Sequence, residues 1–286
     1  MNAMKDGALK KNAQPVEVPA VSLIIAVYNK PDFLEKVLIS LTNQTFKDFE
    51  AVIADDGSGP EIPAIIKRFE NAFSFPLQHI WQEDRGFRKT VIANKAVIAA
   101  FADYLVFIDG DCILHHRFIE SHFSRRRKRS VMAGRRVMLD KNLTDVLTNE
   151  DIASRRIERP GFWWRHCAPS DRKHGLYVPG LFWLENALKK NYSFYGSNFS
   201  IFKEDFIAVN GYDERIIGRG IEDDNLRERL KLNDIAIRCV TRTALQYHLY
   251  HSSDPVPHDP QTIRDFCYPK KAWAEDGIQK GGKPLL

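Results

Sequence analysis

Asp109 and Asp111 stand one residue apart in FADYLVFIDGDCIL, residues 101–114, where an apolar run of strand length stops on two carboxylates with only Gly110 between them. Neighbouring carboxylates repel unless a cation sits between them or water keeps them apart. Their hard oxygens suit Mg2+ or Mn2+, and Gly110 would let the backbone turn so that both face one point; an Asp-Gly pair also makes ordinary surface turns. A second acidic turn, Asp55-Asp56-Gly57-Ser58, follows another apolar run. An aspartate there can accept hydrogen bonds from a base or ribose, or the cluster can form a turn and cap a helix. A third set, Glu222-Asp223-Asp224, follows Gly220 and opens a helical stretch. The helix dipole alone favours acids at such a start, but the same position can aim a carboxylate into a cleft as the general base for a hydroxyl. YHLYH carries His248 and His251. On one strand these would point to opposite faces, so only one could reach a given site.

The elements that must position these groups alternate. VSLIIAVYN is a continuous apolar, β-branched run of the kind covered on both faces, and PDFLEKVLISLTNQ has a helical apolar stripe through Phe33, Val37, Leu38 and Leu41. A strand ending in ADDGS, a helix in GPEIPAIIKRFENA, a short strand in LQHIWQED, a helix in TVIANKAVIAAFA and the strand YLVFIDGD follow. Strand–helix alternation predicts an α/β fold with a doubly wound, mostly parallel sheet, whose ligands sit at the carboxyl ends of the strands. The acids lie there. Beyond residue 115 the pattern changes: HHRFIESHFSRRRKRS reads as a very basic amphipathic helix, VMAGRRVML as one strand, and EDDNLRERLKLN as a helix. Residues 141–192 are aromatic, basic and turn-rich, a mobile insertion or an acceptor-binding segment. Residues 1–19 read as a loose leader, 20–251 as a single domain, and 252–286 as a polar C-terminal tail.

The chain of 286 residues, 44% apolar and 28% charged, is long enough to bury a proper core. A net charge of +5 permits phosphate or membrane partners without demanding nucleic acid. Cys112, Cys167, Cys239 and Cys267 show no CxxC pair, so neither a zinc site nor a disulfide framework is supported. The N-terminus lacks the apolar core of a signal peptide, and no apolar run approaches the roughly 20 residues of a membrane helix. These features place the chain in the cytoplasm.

In order, VSLIIAVYNK, AVIADDGS, GFRKTVIANKAV, YLVFIDGDCI, GSNFSIFKEDFIAVNGYDE, GIEDDNLRERL and YHLYH resemble the family 2 glycosyltransferases, nucleotide-sugar-dependent enzymes of the GT-A fold. The resemblance covers about Val21 to His251. The second half is also similar to the C-terminal catalytic region of galactosyltransferases and chondroitin-type polymerases.

What the resemblance implies is specific. Residues 20–114 become the nucleotide-sugar-binding half and 115–251 the acceptor half. Val27, Tyr28 and Asn29 fall near the base or ribose, with Asp55 or Asp56 hydrogen-bonded to the base. Asp109, Gly110 and Asp111 match the DxD motif that holds a divalent metal, Mn2+ or Mg2+, and the diphosphate; His251 or His248 completes the metal shell. Arg85, Arg88 and Asn94 fall where ribose or phosphate is contacted. Asp223 matches the base of an inverting displacement, with Glu222 shaping acceptor binding. The implied partners are a nucleotide sugar, UDP-linked, and a glycan or lipid-linked acceptor. The sequence departs from the pattern at IIGRGIEDD, which lacks the usual tryptophan, and at FWWRHCAPSDRKHG, whose Trp163 and Trp164 could stack on sugar or anchor the segment. The RRRKR run is a solvated face or a docking site for anionic lipid, which would add peripheral membrane contact. Two other classes compete: a nucleotidyltransferase, which needs a Gly-rich phosphate loop where this chain has VYNKPDF, and a non-catalytic glycan- or membrane-binding module, which would need neither acidic set.

Overall fold

The computed structural model describes residues 18–70, 72–188, 194–252 and 258–281. The leader therefore lies outside the described residues except for its last two. The chain alternates as β1 (Val21–Val27), α1 (Pro31–Thr42), β2 (Phe49–Asp55), α2 (Glu61–Phe69), β3 (Leu77–Trp81), α3 (Lys89–Ala99) and β4 (Tyr104–Asp109). It continues as β5 (Cys112–Leu114), α4 (Phe118–Ser124), β6 (Ser130–Ala133), β7 (Val137–Met138), α5 (Lys141–Val146), α6 (Asn149–Ala153), α7 (Pro160–Trp163) and α8 (Phe182–Leu188). It closes with β8 (Asn198–Phe202), α9 (Lys203–Ile207), α10 (Glu222–Leu232), β9 (Ala236–Cys239), β10 (Gln246–His248) and α11 (Pro260–Cys267).

Seven strands form the main sheet in the order β3-β2-β1-β4-β8-β6-β9. The β3-β2-β1-β4 half is parallel, β8 is antiparallel to both neighbours, and β6 is parallel to β9. The expected α/β, mostly parallel architecture is what the chain adopts. β1 and β2 are buried almost throughout because helices cover both faces. One core sits under α1 and α2, a second under α3 and α10. Since β4 and β8 pair directly, the two halves of the chain share one sheet.

Two sequence expectations beyond residue 115 change. The helix expected through the basic run stops at Ser124, leaving Arg125–Arg129 in the connection to β6. VMAGRRVML splits into β6 and β7, which join different sheets. The break follows Gly134, which still donates to Asn198 O of β8 at 2.8 Å and comes so close that a Cβ there would lie 2.3 Å from the Asn198 side chain.

While Phe182 of α8 packs into the first core, residues 143–176 build a third with β5, β7 and β10. Trp163 is its centre, 0% exposed and 6.0 Å from the Tyr247 ring, so it anchors this segment; Trp164 stays 38% exposed under the Arg172 guanidinium. A further tie is a clasp: Glu158 accepts from the His116 backbone N–H at 2.8 Å and faces its Nδ1 at 2.6 Å. His115 Nδ1 accepts from Arg117 N at 3.2 Å, which leaves its proton on Nε2, 3.7 Å from Glu158. Trp163→Ala is expected to destabilise the protein by about 3–5 kcal/mol, the range for emptying a buried aromatic site; a chemical-denaturation midpoint unchanged from wild type would contradict the anchoring role.

Within the stretch set apart as a tail, residues 258–281 pack onto the body. Asn225 donates to Phe266 O at 2.8 Å, fastening α11 to α10, and Asn210 donates to the carbonyls of Ala274 and Gln279 at 2.8 and 2.9 Å.

Candidate active site

The carboxyl ends of β1 and β4, the start of α10 and the end of β10 surround a cavity of about 940 Å3. The three acidic groups converge on it: Asp109 and Asp111, Asp56, and Glu222 and Asp223 all line it, as do Val27, Tyr28, Asn29, His248 and His251.

At the strand tip the two aspartates look at different partners. Asp109 Oδ1 accepts from Lys89 Nζ at 2.5 Å and its other oxygen lies 4.0 Å from Arg136. Asp111 lies with one oxygen 3.5 Å from His248 Nε2 and the other 3.0 Å from His251 Nε2. Gly110 is needed for space rather than for a turn: a Cβ would come within 2.9 Å of Val27 Cγ2 and 3.2 Å of Ala26 O. Burial would raise the Asp111 pKa, but the hydrogen bond from His251 and the two imidazoles hold it well below the usual range. Burial lowers the His248 pKa, whereas the Asp111 hydrogen bond raises that of His251.

The expectation that only one histidine could reach the site is overturned. β10 ends at His248, with one further bond from Leu249 N to Asp111 O at 2.9 Å, so the strand alternation stops short of His251. Both rings close on Asp111, with centroids 5.2 Å apart. The ligating atoms of Asp111, His248 and His251 lie within 4.8 Å of one another. One carboxylate and two imidazoles are a donor set for a first-row divalent ion, and Asp109, two residues before Asp111, adds the hard oxygen that suits Mn2+. The residues present therefore fit the expected metal.

The Asp55-Asp56 turn divides its labour. Asp55 is fully buried, accepts from Ser58 N at 2.8 Å and lies 2.9 Å from His79 Nε2, so it is a turn-forming residue off the cavity. Asp56 lines the cavity, fixed by Gln82 Nε2 at 2.6 Å and Arg88 N at 2.7 Å. Asn29 and Lys30 reach the cavity on left-handed backbone, φ 53° and 56°, locked by Asn29 N donating to Ser58 Oγ at 2.7 Å.

The other residues expected at the donor do not line the cavity. Asn94 is 1% exposed and bonds Tyr212 and Glu214, pinning the Tyr212–Glu214 turn. Arg85 is exposed and pairs with Glu83, and the Arg88 guanidinium donates to Glu83 O at 2.5 Å. The cationic groups that do line the cavity are Lys30, Lys89, Arg136 and Arg219. Lys89 was the one to find: a lysine in the first turn of a helix opposes the dipole and needs an outside reason. Burial lowers its pKa, but Asp109, Asp223 and Glu222 together hold it above the usual lysine range.

At the start of α10, Gly196 N donates to Asp223 Oδ2 at 2.7 Å, while Oδ1 has no hydrogen-bond partner among the described residues. A Cβ on Gly196 would lie 2.1 Å from that oxygen. Burial, against the opposing pull of Lys89, raises the Asp223 pKa to about 7. Glu222 accepts from Gly220 N at 2.5 Å and so braces the IIGRG loop.

The model of glycosyl transferase family 2 matches residues 22–179, more than half of the chain. The chain belongs to glycosyl transferase family 2. A second model, described as the N-terminal domain of galactosyltransferase, matches residues 185–252, the part of this family 2 chain that carries Asp223 and both histidines. Chondroitin synthase of Escherichia coli is 23% identical over 252 residues, 81% of this chain and 35% of that protein. Validoxylamine A glucosyltransferase of Streptomyces hygroscopicus subsp. jinggangensis is 26% identical over 231 residues, 76% of this chain and 53% of that protein. The chain thus spans between a third and about half of these relatives' length. Among solved structures, the mannosyltransferase PcManGT from Pyrobaculum calidifontis, in complex with GDP-Man and Mn2+, superposes with a TM-score of 0.58 at 15% identity, over 83% of this chain and 59% of that one. TarS of S. aureus gives 0.55 at 16% identity, over 80% and 36%. The fold of this family 2 chain is GT-A, as the motif order implied, and family membership removes the nucleotidyltransferase and non-catalytic alternatives.

Proposed function

We propose that the chain transfers a sugar from a nucleotide sugar, UDP-linked, to a hydroxyl of a glycan or lipid-linked acceptor with inversion, in the synthesis of a surface polysaccharide or lipopolysaccharide at the cytoplasmic face of a membrane. The observation that carries the reading is that Asp109, Asp111 and Asp223, far apart in sequence, line one cavity. Asp111, His248 and His251, with Asp109 beside them, would hold Mn2+ or Mg2+, which supplies charge neutralisation for the departing diphosphate.

The chain's own groups do the rest. Val27, Tyr28, Asn29 and Asp56 hold the nucleoside end. Lys89 is released from Asp109 to meet phosphate charge, as an ammonium at that position can. Glu222 keeps the acceptor loop in place. Asp223 takes the proton of the acceptor hydroxyl as the new C1–O bond forms and the C1–O bond to the diphosphate breaks, the electron pair leaving with the nucleoside diphosphate. One Asp223 oxygen is fixed by Gly196, which sets the orientation of the other.

A base with pKa about 7 must be ionised to work. Turnover is therefore expected to fall as the pH drops through neutrality, close to tenfold per pH unit on the acidic limb; a cation bound nearby lowers that midpoint. A flat kcat profile on the acid side would contradict the assignment. Thermal shift against a panel of nucleotide sugars with and without Mn2+ tests the donor class. A ligand at about a hundredfold over its Kd adds about 2.7 kcal/mol, and stabilisation by UDP-sugars only when Mn2+ is present is the expected result. No stabilisation by any nucleotide sugar would refute the reading.

A further inference from the structure

Away from the cavity, a groove of about 380 Å3 is lined by Arg125, Arg126, Arg127 and Arg238 together with Phe182 and Trp183. The structure sorts the basic run into two parts. Lys128 pairs with Glu204, and Arg129 lies 3.7 Å from Asp205. Arg125, Arg126, Arg127 and Arg238 form no ion pair with a carboxylate among the described residues; Arg125 bonds Ser121 O and the Ser124 hydroxyl, Arg126 bonds Phe123 O and covers the Phe123 ring, and Arg238 bonds the Ser130 hydroxyl. Among the described carboxylates only Glu120 lies close enough to act on the Arg125 guanidinium, so the four leave this face strongly basic and open to an external anionic surface.

Next to them α8 turns apolar side chains outward. Trp183 is 78% exposed and Leu184 52% exposed. Arg125 and Trp183 share one face, because the Arg125 guanidinium lies 4.9 Å over the Phe182 ring and Phe182 packs edge-on against Trp183 at 5.1 Å; Leu184 adds exposed apolar surface one residue along α8. A soluble anion would answer the charge but leave Trp183 and Leu184 in water. Nucleic acid could stack on the tryptophan but offers nothing to Leu184. An anionic bilayer answers both, since arginines meet lipid phosphates while Trp and Leu enter the interface.

We propose that the face made by Arg125, Arg126, Arg127, Arg238, Trp183 and Leu184 docks the protein on an anionic phospholipid bilayer. The proposal deepens the placement at a membrane and rests on it, but not on the chemistry in the cavity.

The test is co-sedimentation with phosphatidylglycerol-containing and pure phosphatidylcholine vesicles, on the full chain. Wild type is expected to bind the anionic vesicles only, and to be released by salt. Arg126→Ser with Arg127→Ser is expected to lower partitioning on the order of tenfold or more, and Trp183→Ser to lower it further by about the same factor. Both variants should keep the wild-type thermal unfolding midpoint, which shows them folded whether or not the cavity binds a nucleotide sugar. Unchanged partitioning of both variants while wild type still binds vesicles would overturn this face but leave the membrane placement standing. Failure of wild type to bind anionic vesicles would overturn both. Binding that a single-stranded oligonucleotide competes away and vesicles do not would mark a nucleic-acid surface and overturn the proposal.

Discussion

Asp223→Asn is expected to lower turnover by a factor of about 10²–10⁴, the usual contribution of a positioned general base, while leaving nucleotide-sugar affinity within a few-fold of wild type. The asparagine oxygen can still accept from Gly196 N, which now holds Asp223 Oδ2 at 2.7 Å. Geometry is thus kept and only the proton acceptor is lost. Asp223 stands at the start of α10 and is set against the space left by Gly196, so the substitution should not disturb the core; Leu226 and Leu230 carry the buried face of that helix. Isothermal titration with a UDP-sugar and a single-turnover assay separate the two quantities. Loss of donor binding would move Asp223 out of the base role and into donor recognition.

Asp111→Asn is expected to have the opposite signature: metal-supported donor affinity falls by at least about a hundredfold, since even outer-shell changes at metal sites cost 10- to 100-fold. An amide is a weaker ligand, and it cannot serve as counter-charge to His251, whose Nε2 lies 3.0 Å from Asp111. In the absence of divalent ion, wild type and variant should bind the donor equally weakly. Equal Mn2+ dependence in the two proteins would remove Asp111 from the metal site.

Much of this arrangement was written in residue order. β1, β2 and β4 announce themselves because a strand covered on both faces must be apolar at nearly every position, and a charge at its tip then stands out. Asp109 and Asp111 were legible for that reason, and Asp223 as one of three acids that open a helix. Asp55 and Asp56 were not separable, because neighbours at a strand end point to opposite sides and only the fold decides which side is the cavity. Asn94 was misplaced for a similar reason: its position on α3 turns it toward Tyr212 and Glu214, where a buried amide is consumed by backbone. The pairing of both histidines with Asp111 depends on where β10 stops, which a short run of alternating residues does not encode. Lys89, Arg136 and Gly196 act through partners 20 or more residues distant. Only Lys89 left a local trace, as a cation at a helix start.

The central claim is that one cleft holds the cation, the donor and the base. A crystal of the protein with UDP and Mn2+, with data collected for manganese anomalous scattering, addresses it directly. One strong peak is expected in ligating reach of Asp111 and His251, with the diphosphate beside it and Asp223 facing the same space. Manganese bound elsewhere, the His115–His116–Glu158 clasp included, or UDP bound outside this cavity, would contradict it.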